Sequence, residues 1–564
     1  MNKNVLVAIA LVLLGFAQNL YAQVKPLPSN IEATWGSVRK GAGVMGDMNL
    51  YLLGSYDEYI YAYRVETKMT MFTDKNLAKL SIEKYDKNTL TLVEATECEL
   101  VGDGEKLDIF IKAQLVANKV IIIAASQKKG NQAIYGTTFS LESKKVESTK
   151  LLFKREFDRN LTSAKTGAIQ TLFCIYENNF FLINYHTDVD AALSTPNQVN
   201  YYADMNAVRS RHGNQQLGFH LFDTQLNLVQ EYTKPLNENF LIHNDLQITP
   251  EGNVLWFCKQ YLQNKTPLMS KDIKEFIDDK PNFKYTLIEY KKDKEPAIYF
   301  IPASEGEKYI MDDFIKLNYM NDTHFNVVGT YDVIDKDGKP SAEDVKLNEY
   351  GLFNLTIEKS TGNVIKKIFI PTKDILPPLY NKKRKDYLKG KIKFEPKIHH
   401  AWLQKDSSFI YVIQLEGELE MSQMTNSRDG SMKFNTIHCG RDLIFCKLTK
   451  DGQLAWISKI EKLDGGGKPL LIVKDKTVYY FHNYITSNFE KKADEELKES
   501  SNDNCVAIAE IDIASGETSK YILTPQTEKS SVQLSDNILQ ISPTSWVLKC
   551  SDKKGYIFGK LSIK

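Results

Sequence analysis

Eight times along the chain an apolar strand runs into a short polar turn and a second strand rich in β-branched and aromatic residues. After a gap of variable length, a third strand, another short turn and a fourth strand follow. The second strands begin near Tyr59, Val120, Phe180, Val254, Phe325, Phe409, Val478 and Trp546, roughly 60–85 residues apart. One four-stranded unit cannot bury both of its faces by itself. Units repeated at this spacing must therefore stack face to face on their neighbours.

The fourth unit parses most cleanly. Ile242 to Thr249 is the first strand, Pro250-Glu251-Gly252 the turn, Asn253 to Tyr261 the second strand, Tyr285 to Lys291 the third and Pro296 to Pro302 the fourth. The sixth repeats it with Ile398 to Gln404, a Lys405-Asp406-Ser407 turn, Phe409 to Leu415 and Leu443 to Leu448, after which Asp451-Gly452 turns the chain into Leu454 to Ile457. An Asp-Gly pair between alternating apolar runs is a strong hairpin signal, because Gly takes the positive φ such turns require. The last unit supplies three strands, Val532 to Ile541, Trp546 to Cys550 and Tyr556 to Ile563, and then the chain stops. Ile31 to Arg39, ahead of the first full unit, is the available fourth strand, and pairing it there removes an exposed sheet edge.

On these repeats the chain resembles the β-propeller superfamily over nearly all of its mature length, and Leu448 to Lys459 resembles repeats of secreted bacterial propellers. The resemblance implies an all-β fold of eight four-stranded blades closed by the N-terminal strand, as one domain over residues 31–564. Seven blades follow if the first or last unit is over-read. A propeller carries many unrelated functions, so the resemblance implies no activity.

The ends and the bulk composition set the compartment. Lys3 and the apolar run Val5 to Phe16, about 12 residues against the ~20 of a membrane span, read as a secretory signal over residues 1–22. Cleavage between Ala22 and Gln23 leaves a short lead, 23–30, and an exported protein in the periplasm or outside the cell. Gln23 stands where a lipoprotein needs cysteine, which argues against a lipid anchor, and no later run is long and apolar enough for a membrane span. A formal net charge of +1 gives no field directed at nucleic acid. The seven cysteines are an odd number for an exported chain. Cys174, Cys258, Cys446, Cys505 and Cys550 lie in apolar strands as small buried hydrophobes, while Cys439 and Cys446 flank a short stretch and could pair. No CxxC or Cys/His spacing indicates a metal, and no cofactor is implied.

The variable gaps fall mainly between second and third strands: Thr187 to Gln216, Leu262 to Lys284, Asp335 to Asn348, Gly417 to Arg441 and Thr486 to Asn504. One more, Pro371 to Lys397, joins units five and six. In an up-and-down blade these connections share one end, so the insertions decorate one face, and loops on a rigid scaffold carry binding. The blade-three insertion offers His186, Asp188, Asp190, Tyr201, Tyr202, Arg209, Arg211 and His212, whose aromatic and cationic mix suits protein or sugar contact. The basic run Lys382, Lys383, Arg384 and Lys385 could dock an anionic surface, or be a solvated loop neutralised by Glu416, Glu418 and Glu420. Pro267 to Lys280, capped by Ser270 with Ile273, Phe276 and Ile277 as a stripe, predicts a short helix, and Lys491 to Glu499 a second. Asp335-Lys336-Asp337-Gly338 lacks a first calcium ligand, since Val333 stands there, and reads as a plain turn.

No G-x-S-x-G elbow, H-E-x-x-H pair or regular Asp-box occurs, and five tryptophans are too few for quinone-docking repeats. The leading reading is a non-catalytic scaffold that recognises a protein partner or a surface polysaccharide. The alternative is a glycosidase or lyase with carboxylates at the central channel, since acid–base pairs need no local motif.

Overall fold

The computed structural model describes residues 27–40, 48–70, 73–128, 131–156, 169–188, 216–235, 241–261, 276–277, 280–281, 283–301, 304–306, 308–319, 323–333, 351–375, 394–404, 406, 408–423, 433–460, 470–486, 504–524, 532–552 and 555–564. The segment read as a signal, with the expected cleavage residues Ala22 and Gln23, lies outside them.

The chain is a β-propeller of eight four-stranded antiparallel blades. Their second strands start at Tyr59, Lys119, Phe180, Val254, His324, Phe409, Thr477 and Ser545, each within one residue of its expected place. By Cα proximity the chain divides into two compact units. One comprises Ala42–Lys87 and Leu92–Asp374 and holds blades 1 to 5, which run Met48–Glu97, Ile109–Glu156, Ile169–Pro235, Leu241–Ile301 and Lys308–Pro371. The other comprises Met1–Gly41, Asn88–Thr91 and Ile375–Lys564 and holds blades 6 (Phe394–Ile460), 7 (Leu470–Ile522) and 8.

Blade 8 is assembled from both ends of the chain. Gln533–Ser542, Ser545–Asp552 and Gly555–Ile563 pair in order, and Ile31–Trp35 pairs antiparallel with the last of them from Ile31↔Ile563 to Trp35↔Gly559. Arg39–Lys40 extends the same edge opposite Tyr556 and Gly555. The closing strand also joins the core. Ile31 is buried in one cluster with Tyr479, Phe481 and Val506 of blade 7 and Trp546 and Leu561 of blade 8.

The cores lie between facing sheets, which explains why second strands are apolar on both sides. In blade 4, Leu255 and Phe257 face a cluster with Phe325 and Val327 of blade 5, whereas Val254, Trp256 and Cys258 pack with Leu182 and Phe219 of blade 3. Fourth strands alternate instead: Leu92–Glu97 of blade 1 exposes every second residue. That pattern is the mark of a strand with solvent on one face.

The turns follow from local chemistry. First-to-second and third-to-fourth connections are two to six residues long. In the two-residue turn of blade 3, Asn178 and Asn179 both hold positive φ, 50° and 66°, as a type I′ hairpin requires. The longer turns are pinned by a short polar side chain. Asp223 Oδ1 accepts from the backbone N–H of Gln225 (2.9 Å) and of Asn227 (2.8 Å), and Asp512 Oδ1 accepts from those of Ala514 (2.9 Å) and Ser515 (2.7 Å). Gly516 then supplies φ +75°, and a Cβ there would lie 2.6 Å from the Trp456 ring, whose Nε1 donates to Ile513 O at 3.0 Å. Gly516→Ala is therefore expected to destabilise by about 2–3 kcal/mol, from positive-φ strain and displacement of the indole. A lower urea midpoint with unchanged slope would show it, and an unchanged midpoint would refute it.

Two expectations are corrected. The predicted helix Pro267 to Lys280 does not reach its stated end: Phe276–Ile277 pairs with Lys280–Pro281 as a small antiparallel ladder, and residues 262–275 lie outside the described residues. In blade 6 much of Gly417 to Arg441 is strand. Phe409–Gln423 and Lys433–Leu448 keep pairing out to Gln423↔Lys433, so both flanks of the insertion form a hairpin arm, and 424–432 lie outside the described residues.

Candidate functional site

The two ends of the blades differ. At the end where the first strand meets the second and the third meets the fourth, connections are two to six residues. At the other end, second-to-third connections occupy 189–215 in blade 3, 334–350 in blade 5, 424–432 in blade 6 and 486–503 in blade 7. In blade 4, 262–282 fills that place around the small ladder. Blades 1, 2 and 8 close it with two residues each.

Of the residues singled out in blade 3, His186 and Asp188 fall in the strand Phe180–Asp188, opposite Thr171 and Ile169, where the chain leaves into 189–215. Asp190, Tyr201, Tyr202, Arg209, Arg211 and His212 lie outside the described residues, as do Lys382, Lys383, Arg384 and Lys385. The four-residue helical turn Thr372–Ile375 leads toward the basic run. The acidic stretch after Val333 and Lys491 to Glu499, expected as a helix, also lie outside.

Sequence reasoning missed a set of buried polar side chains on the second, third and fourth strands. In blade 1, Arg64 Nε reaches Glu83 Oε1 at 2.7 Å with both side chains almost fully buried, and Tyr85 donates to the other carboxylate oxygen. In blade 2, Arg155 Nε donates to Gln132 Oε1 at 2.8 Å, and both residues are buried. In blade 4, Lys259 is 0% exposed with Nζ 4.1 Å from the Phe283 ring. Asn184 in blade 3, Thr330 in blade 5 and Gln414 in blade 6 are buried with no hydrogen bond from their side chains to any protein group. The signal was present as an apolar run of four or five residues broken by one polar residue (VLWFCK, FIYVIQ, FFLIN). Such a break also fits a strand that is simply emerging into solvent, so the run alone does not reveal burial.

His220, on the third strand of blade 3, stacks on Phe153 of blade 2 with centroids 3.8 Å apart and planes at 9°. Burial pushes its pKa from 6.5 down to about 4, so the folded protein holds it neutral. Because the unfolded chain binds that proton first, stability from this site is complete above pH 6.5 and falls as pH drops toward 4. Between pH 7 and pH 5 the protein is expected to lose about 2 kcal/mol more than a His220→Gln variant in urea titrations. Parallel losses in the two proteins would refute the assignment.

On the first strands, Glu177 of blade 3 feels the charge of Asp245 of blade 4. Burial raises the Glu177 pKa and the Asp245 charge adds to the rise. Each carboxylate also accepts from backbone: Glu177 from Ile248 N–H at 3.4 Å, Asp245 from Leu246 N–H at 3.0 Å and Leu317 N–H at 3.4 Å. Among the described residues no three His, Cys, Asp or Glu side chains converge as metal ligands would.

The cysteine reading holds in the strands and changes at one pair. Cys258, Cys446, Cys505 and Cys550 are buried, Cys174 is half-buried, and burial pushes the Cys446 thiol up to about 12. Cys439 and Cys446 belong to one extended strand, so the seven residue steps from one to the other span about 23 Å, beyond disulfide reach.

No family model matches the chain, and no curated protein matches it. Among solved structures, a europium-containing methanol dehydrogenase aligns at 8% identity and TM-score 0.41, covering 96% of this chain and 95% of its own. The β-propeller domain of the Trilobed protease from Pyrococcus furiosus aligns at 12% and 0.32 over 86% and 98%, and the polysaccharide lyase Uly1 at 9% and 0.36 over 82% and 94%. At such scores the propeller assignment rests on this chain's own strand pairing, and none of those activities passes to it.

Proposed function

We propose that this propeller is an exported, non-catalytic scaffold that recognises a protein or a surface polysaccharide through the loop-bearing ends of its blades. The observation behind this reading is the asymmetry of the connections: short turns at one end, and 189–215, 262–282, 334–350 and 486–503 at the other. Random drift in loop length would enlarge both ends. The blade-three insertion with His186, Asp188, Asp190, Tyr201, Tyr202, Arg209, Arg211 and His212 is the first contact, and Lys382, Lys383, Arg384 and Lys385 a second, salt-sensitive one.

The test replaces 190–215 by a two-residue turn like those of blades 1 and 2 and compares capture from native envelope and medium fractions. A partner held by the wild type and lost by the equally stable variant supports the scaffold. Undiminished capture removes blade 3 from the reading. The alternative, a carbohydrate-active enzyme, draws on the raised pKa of Glu177 beside Asp245, but both carboxylates are engaged by backbone amides.

A further inference from the structure

We infer that Asn184 is a ligand-reading residue, which completes its hydrogen bonds with a hydroxyl of a neutral sugar unit entering blade 3 from the loop-bearing end. The inference rests on the binding reading above.

Asn184 is 1% exposed, and neither its Nδ2 nor its Oδ1 bonds a protein group. It lies on the second strand, four residues before Asp188, where 189–215 departs. Two other blades repeat the arrangement. Thr330 is 0% exposed and unbonded three residues before the end of the second strand of blade 5, ahead of 334–350. Gln414 is 0% exposed with both amide atoms unbonded, at the point where the ladder of blade 6 shifts register into its hairpin arm. Blades 1 and 2 have only two residues between second and third strands, and there the buried polar groups bond one another: Arg64 with Glu83, Arg155 with Gln132. The unbonded second-strand groups Asn184, Thr330 and Gln414 thus all lie in blades with longer connections, although blades 4 and 5 also hold bonded polar pairs, Thr286 with Gln260 and Asn326 with Asn354.

A buried amide without a partner destabilises the fold, and an apolar side chain of the same size would remove the penalty. Such a group is explained if its partner arrives from outside. The surroundings select the partner's chemistry. Leu182, on the same face of the strand as Asn184, and Phe219, its partner on the third strand, are at most 2% exposed, so a charged group would be stranded there without a counter-charge. A peptide segment would bring flanking N–H and C=O groups that also need partners. A sugar hydroxyl donates and accepts through one atom, which matches an amide that must do both. His186 and Asp188 follow Asn184 on the same strand, nearer the loop end.

The experiment measures thermal stability and retention on an array of neutral oligosaccharides of glucose, mannose, xylose and N-acetylglucosamine. It uses wild type, Asn184→Leu, Asn184→Ala and the shortened blade-three loop. Wild type is expected to hold at least one oligosaccharide, and Asn184→Leu to bind it about tenfold more weakly, the loss of one good hydrogen bond. Its melting temperature is expected to stay level or rise by about 2 °C. Asn184→Ala, if Leu does not fold, must show the same loss of binding. Equal retention by the Asn184 variants, with loss in the shortened loop, overturns the role of Asn184 and leaves the scaffold standing. A lower melting temperature with unchanged binding makes the amide structural and overturns the inference. Retention of a polypeptide and of no oligosaccharide overturns the sugar class. If neither sugar nor envelope partner is held by any form, the binding reading itself fails.

Discussion

A chain lacking residues 27–40 is expected to lose more than about 5 kcal/mol of stability in the unit that holds blade 8. The closing strand Ile31–Trp35 supplies five ladder positions against Gly555–Ile563, and Gly36 N–H adds a bond to Phe558 O at 2.9 Å. Its side chains matter as much. Ile31 is 3% exposed within the blade 7–blade 8 core, and Trp35 lies across Gly559, where a Cβ would meet its ring at 2.7 Å. Trp35 Nε1 donates to Leu523 O at 3.3 Å, tying the strand to blade 7. Removal leaves Gly555–Ile563 as a free apolar edge, so aggregation should accompany the loss. Urea unfolding checks the stability, and light scattering checks the edge. A synthetic peptide spanning 27–40 should restore the midpoint when added in excess, because it re-covers the same edge. Trp35→Ala alone should cost about 3 kcal/mol. An unchanged midpoint in the truncated chain would mean that three strands suffice for blade 8.

The second large effect concerns charge. Glu83→Ala is expected to destabilise by about 3–5 kcal/mol, because it strands the Arg64 guanidinium in the sheet and takes the acceptor from the Tyr85 hydroxyl. The side chains of the pair are 9% and 1% exposed, so water cannot step in as it does for a surface ion pair. Replacing both partners, Arg64→Met with Glu83→Leu, should recover most of the loss, since apolar groups remove the unpaired charge as well as the bond. A double variant as unstable as Glu83→Ala would instead mean that the pair specifies local geometry.

The candidate site was only partly legible. The loop-bearing end could be read from gap lengths alone, because alternate connections of an up-and-down sheet must emerge together. Asn184 could not: in FFLINYHTD an asparagine after four apolar residues reads as a strand surfacing, and its 1% exposure depends on what blade 4 lays against it. The same holds for Gln414 and Lys259. The blade-six arm was misread as a loop because its glutamates alternate with Leu and Met over a stretch with weak core signal, and only the pairing of Gly417–Gln423 with Lys433–Cys439 reveals the ladder. Phe276 and Ile277 stood at helical spacing from Ile273 yet form a strand, since a short apolar stripe does not commit a segment to either period.

The sequence by itself determined the blades. Strand starts, tight turns and the closing role of Ile31–Trp35 all follow from period-two apolar patterning, Asn-Asn and Asp-Gly turn chemistry and the need to cover an edge, each set by residues close together in the chain. The tertiary structure alone decided which polar groups are buried and whether they are satisfied. That depends on neighbouring sheets meeting face to face, as where Phe153 of one blade covers His220 of the next, and no local run of residues encodes the identity of the group across the interface.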